Sequence, residues 1–200
     1  IGREGSSMAP SAWKDEISTV ALAGACAINT WFCTNCLIDY SADVWALSSE
    51  PAEPDRLLFL RNYYSWRGWA PFVTPIFLLL TVPLPILVFN LSRELLASTF
   101  GWRRASPLRH LSDVVQALTL IGVILPIGVP AVGRVQGAVI EACAVNKRGK
   151  LATPADCQTR AEELLPVHLL MLILNLVMFF CDIAKSTGNR GAAATKDKAS

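Results

Sequence analysis

Residues 25–36 read ACAINTWFCTNC, an uncharged stretch that carries three cysteines and two asparagines. Two chemistries fit these residues. Cys33-Thr34-Asn35-Cys36 is a CxxC pair, and such a thiol can be acidified so that its thiolate attacks disulfides. On a helix, however, Cys26, Asn29, Cys33 and Cys36 follow one another at steps of three, four and three. That spacing puts all four on one stripe, the pattern of a helix-packing seam. Free cysteine packs as a small hydrophobe. Ala23, Gly24 and Ala27 are small enough to admit a neighbouring backbone. The seam is the preferred expectation, with Asn29 bonding across to a partner helix.

Few other residues could do chemistry. Cys143 and Cys157 form a second pair, expected as a plain structural disulfide if their compartment is oxidising. The two histidines, His110 and His168, fall near opposite ends of apolar runs and cannot clamp one haem. A cysteine-only zinc site would need four converging thiolates, so no metal is expected. Asn29, Gln116, His168 and Asn175 are the polar residues inside apolar runs, with Asp113, Arg134 and Asp182 at the edges. Interhelical hydrogen bonding is their expected role. No phosphate-binding loop, nucleophile elbow, zinc-protease or dinucleotide motif is present.

The elements that would position these groups are set by composition. The chain has 200 residues, 52% hydrophobic and 17% charged. A soluble domain carries about a quarter charged residues. The charges cluster and leave four long apolar runs, at residues 17–38, 69–91, 114–133 and 164–183, uncharged except for Asp182 at the edge of the fourth. Each is long enough to cross ~30 Å of hydrocarbon as a helix. The expected fold is an all-α integral membrane protein with four transmembrane helices (17–183). A polar N-terminal segment (1–16) and a polar tail (184–200), disordered by composition, would flank it. The first span is the least apolar and is expected to face protein rather than lipid. Pro75, Pro83 and Pro85 in the second span, and Pro126 and Pro130 in the third, remove helix hydrogen bonds and should kink both helices.

With the N-terminus inside, the inside segments hold ten Lys and Arg residues and the outside segments eight, of 18 in all. That bias predicts both termini inside. Residues 39–68 then form a long acidic outside loop, and YYSWRGW at 63–69 reads as an aromatic anchor at the headgroups. The net charge of +2 is small and no dense basic patch appears, so no nucleic-acid partner is expected.

A CxxC at the outer surface of four helices, with a second cysteine pair on the same side, resembles the disulfide-generating membrane oxidoreductases, including the vitamin K epoxide reductase type. The resemblance is one of architecture. It implies Cys33 and Cys36 as the active pair, Cys143 and Cys157 as the shuttle pair, and a quinone as electron acceptor. In that family the CxxC leads into the next helix, whereas here a long loop is expected after Cys36.

The leading expectation for function is a non-catalytic accessory or assembly subunit of a larger membrane complex, contacting other membrane subunits and bound lipids and needing no cofactor. The quinone-coupled thiol–disulfide oxidoreductase is the alternative. A lipid-binding or lipid-modifying protein of the endoplasmic reticulum is the second alternative. Lys196 and Lys198, fifth and third from the end as the chain stands, resemble a dilysine retrieval signal for that organelle. A complex subunit would instead sit in an organelle inner membrane, mitochondrial or plastid.

Overall fold

A computed structural model describes residues 10–69, 88–89, 91–93, 95–96, 99–100 and 107–197 of the chain. Those residues are almost entirely helical. The named helices are α1 (Pro10–Ala46), α2 (Pro54–Trp69), α3 (Pro107–Ala142), α4 (Pro154–Glu162) and α5 (Leu164–Asp197). Two stretches are long and apolar enough to cross a membrane, Pro107–Ala142 and Pro154–Ser186. The second expected span, with Pro75, Pro83 and Pro85, lies almost wholly outside the described residues.

The most extensive pairing joins α1 to α5. Along α5 the buried residues are Leu164, His168, Met171, Asn175, Met178, Asp182 and Lys185, alternating steps of four and three. This is the seam of a heptad repeat. Three polar contacts fix the partner register: Asn29 with Asp182, Cys36 with Asn175, and Asp43 with His168. Each climbs seven residues along α1 and descends seven along α5, so the helices run antiparallel in constant register.

This seam moves the expected boundaries. α1 continues through Ala46, past the expected end of the first span at Ile38. Asp39 and Asp43, which read as the start of a loop, stand on its buried face. Most of the expected loop at 39–68 is therefore helix, with α2 beginning at Pro54. Pro54 sits at the first helical position, where its missing N–H costs nothing, and Asp55 suits the positive end of the helix dipole. At the other end of the chain, α5 runs on to Asp197 where a disordered tail was expected. The alanine run in GAAATKD favours helix despite its polarity. α1 is also less enclosed than expected, since Trp31, Leu37 and Ile38 are exposed. Thr30, Thr34 and Ser41 on its open face turn their hydroxyls back to carbonyls one turn earlier.

Helix α3 is not sharply broken at Pro126 but is wound as a π-helix over Leu118–Gly128. The wider turn, with i to i+5 hydrogen bonding, accommodates a proline that would clash inside an α-helix. It also changes the register against α5. Below the π segment Gln116 meets Asp182, and above it Gln136 meets His168. α3 spends six more residues than α5 over that interval. Gly128 closes the approach: a Cβ there would stand 2.5 Å from the Met171 sulfur.

All five helices contribute to one apolar cluster at the end of the molecule where α1 stops, the end expected to be the outer one, built on Ala46, Leu57, Leu60, Val139, Ala161 and Leu164. The Cys143–Cys157 disulfide lies within it, both residues fully buried, and ties the end of α3 to α4. Between them the chain makes a tight hairpin. Val145 bridges Leu151, and the Asn146 side chain accepts from the Arg148 and Lys150 amides at 2.9 and 3.1 Å. Gly149 takes a φ of 75° there, which glycine adopts without steric cost. A second apolar cluster, Leu91, Leu120, Ile124, Met171 and Met178, fills the middle of the molecule.

Candidate functional site

Most of the polar side chains buried by these helices gather into two nodes joined by the α1–α5 seam. The inner node starts from Asp182 on α5. Asn29 on α1 donates to one of its carboxylate oxygens and Gln116 on α3 to the other, both at 2.6 Å. Gln116 also donates to the Met178 carbonyl at 2.9 Å, and its own carbonyl accepts from Lys185. Lys185 completes the node with an ion pair to Asp113 at 2.5 Å. Three helices are thus cross-linked by one connected network. A buried ion pair offsets its desolvation only when its remaining hydrogen bonds are satisfied, and Gln116 satisfies this one.

Halfway along the seam Asn175 donates to the Met171 carbonyl at 2.7 Å and approaches the Cys36 sulfur at 3.6 Å.

The outer node is centred on His168. Its Nδ1 lies 2.5 Å from an Asp43 carboxylate oxygen, and Tyr64 from α2 donates to the other oxygen at 2.6 Å. The Gln136 amide nitrogen from α3 stands 3.2 Å from His168 Nε2. Asp43, Tyr64 and His168 are at most 2% exposed. A carboxylate that only accepts places the imidazole proton on Nδ1, leaving Nε2 to accept from the amide. One turn before Asp43, Asp39 accepts from Tyr63 at 2.8 Å. Burial, and then the Asp43 carboxylate, push the Tyr64 phenol well above its ordinary value. An Asp–His pair can serve a nucleophile, but here both ring nitrogens already face protein partners.

The cysteines singled out by spacing are distributed over this frame. Asn29 is buried on the seam and Cys36 packs against it, whereas Cys26 and Cys33 lie half-buried beside it. The stripe that packs is Asn29, Cys36, Asp39, Asp43 and Ala46. Cys33 and Cys36, both on α1, are not joined in a disulfide, and Cys143 and Cys157 are bonded to each other. The two pairs are not brought together. Cys36 is level with Asn175, Cys157 packs at the level of Leu164, and the His168 node lies between. At 1.5 Å per residue that separation on α5 is roughly 16 Å. Of the two histidines, His168 is at a node.

Sequence spacing missed Lys185, Asp43, Tyr64 and Gln136 as members of these nodes. A signal existed for Asp43: it stands seven residues beyond Cys36 and fourteen beyond Asn29. No protein-family model matches the chain, and no curated protein or solved structure matches it.

Proposed function

We propose that this protein is a non-catalytic, multi-pass membrane subunit with four transmembrane helices and both termini on the inner side, working within a larger membrane complex. The polar seam of α1, α3 and α5 supports this most directly. Its buried polar groups are spent on one another and hold helices in register, which is the work of a scaffold. The outward faces are apolar: Leu37, Ile38 and Val44 on α1, and Leu169, Leu170, Ile173 and Phe180 on α5 are exposed. Such faces suit lipid and neighbouring helices. Exposed Trp45, Phe59 and Trp66 at the outer end suit the headgroup level.

A lipid-binding role has one observation in its favour. A largely apolar groove of about 450 Å³, lined by Tyr40, Val44, Leu47, Leu165 and Leu169, runs between the outer ends of α1 and α5. It suits an acyl chain.

The deciding experiment is thiol mapping on gently solubilised native protein, run on a native gel. A subunit is expected to migrate within a large assembly with stoichiometric partners, Cys33 and Cys36 staying reduced. If those two cycle between thiol and disulfide, and a quinone shifts the balance, an oxidoreductase is the better reading. A lone protein carrying one tightly held lipid in native mass spectrometry would favour lipid binding.

A further inference from the structure

Arg61 stands on α2 four residues after Leu57 and three before Tyr64, both of which are buried. On a helix that spacing sets it along the border of the buried stripe. Arg61 is accordingly half-buried, its apolar stem suited to that border. Its guanidinium is poorly matched by the protein. Nη1 donates to the neighbouring Asn62 side chain at 3.1 Å. Among the described residues no carboxylate pairs with Arg61, and its Nε is the one buried side-chain donor that has no hydrogen-bond partner. Arg56 pairs with Glu53 and donates to Ser48, Arg160 pairs with Glu163, and Lys185 pairs with Asp113. The α1 carboxylates that α2 reaches, Asp39 and Asp43, are met by Tyr63 and Tyr64. A buried donor on a cation is costly to leave unmade. Nε–H and the adjacent Nη2–H form the edge of a guanidinium that takes two oxygens of a phosphate or carboxylate.

What meets that edge follows from its level. Arg56 reaches the Trp45 carbonyl and Ser48, and Tyr64 reaches Asp43, so Arg61 lies alongside the last turn of α1. Exposed Trp45, Phe59 and Trp66 flank that level. Such aromatics mark the headgroup layer of a membrane, where phosphate is the prevailing oxyanion. We propose that Arg61 anchors an anionic phospholipid, its Nε–Nη2 edge holding two phosphate oxygens of the headgroup. An anionic lipid suits the site better than a zwitterionic one because Arg61 brings a whole uncompensated charge. The amine of a choline or ethanolamine headgroup would restore the positive excess that the phosphate cancels. The site rests on the membrane-spanning reading and is indifferent to which side of the membrane this end faces.

A carbonate wash of native membranes checks the spanning reading first. Release of the chain into the aqueous phase would overturn that reading and the site together. The purified full chain, stripped of lipid in mild detergent, is then titrated with phosphatidylglycerol or phosphatidylcholine and read by native mass spectrometry. The expected result is one phosphatidylglycerol bound about tenfold more tightly than phosphatidylcholine. R61Q should abolish that preference. R61K, which keeps the charge but loses the fork, should keep only part of it. A wild-type protein that binds both lipids alike overturns the site with the spanning reading intact, and so does an R61Q variant that retains the preference. Inorganic phosphate that displaces phosphatidylglycerol at comparable concentration would identify a soluble phosphate as the ligand and overturn the headgroup assignment. If R61Q leaves lipid binding unchanged and instead strips a subunit from the native assembly, the edge belongs to a partner's carboxylate and the lipid site falls. Should R61Q not fold, R61K and the wild-type comparison still decide.

Discussion

Tyr64 is the residue whose removal is most informative. Its hydroxyl is one of two donors to Asp43, which is 0% exposed. Tyr64→Phe keeps the ring in its apolar cluster and deletes only that donor. Leaving a buried acceptor short of a partner costs about 1–3 kcal/mol, so chemical or thermal unfolding should register a loss of that size at neutral pH. The same residue makes an alkaline prediction. Its folded-state value is raised, by burial first and Asp43 second. A raised value means the folded protein holds the proton after the unfolded chain has lost it. The stability from Tyr64 is thus complete below the unfolded tyrosine value, about 10, and is lost as pH rises beyond it. The gap between wild type and Tyr64→Phe should hold steady up to about pH 10 and narrow above it. A gap that persists unchanged at higher pH would mean that the phenol ionises freely.

At the scale of elements, the repeat along α1 and α5 carries the fold. The seven-residue pairing of Asn29, Cys36 and Asp43 with Asp182, Asn175 and His168 predicts local coupling. A double-mutant cycle on Asn29→Ala and Asp182→Asn should return about 0.5–2 kcal/mol. The same cycle on Asn29 and His168, two layers apart, should return none. Gly128 sets the α3–α5 approach. Gly128→Leu must displace Met171 and should cost about 1–3 kcal/mol by overpacking; Met171→Ala should recover part of that in the double variant. Much of the helical content was legible because long uncharged runs announce helices in lipid. The end of α1 was not. Asp39 and Asp43 truncate any hydropathy window, and their partners Tyr63, Tyr64 and His168 are distant in sequence. The π segment was illegible too, because Pro126 permits a kink or a widened turn, and packing on α5 selects between them. Cys26 and Cys33 fit a three-four spacing as well as Cys36 does. Which edge of that stripe faces a partner depends on the partner's register.

At the scale of the whole molecule, the disulfide and the positive-charge bias make one joint prediction. Cys143–Cys157 closes a separation of 14 residues and welds α3 to α4 inside the outer cluster. Closing a loop of that size is worth about 3 kcal/mol, so Cys143→Ser with Cys157→Ser should lower stability by about that amount. Such bonds persist only in oxidising compartments. The proposed topology would therefore put the disulfide-bonded end on an oxidising side, and Lys185 with its network toward the reducing side. If four helices cross the membrane, both termini share that reducing side. In sealed vesicles, tags at the two ends of the chain should share the same protease exposure, and the 144–156 hairpin should show the opposite exposure. Opposite exposure of the two termini would require an odd number of crossings. It would remove the second span from the membrane, since α1, α3 and α5 alone give three.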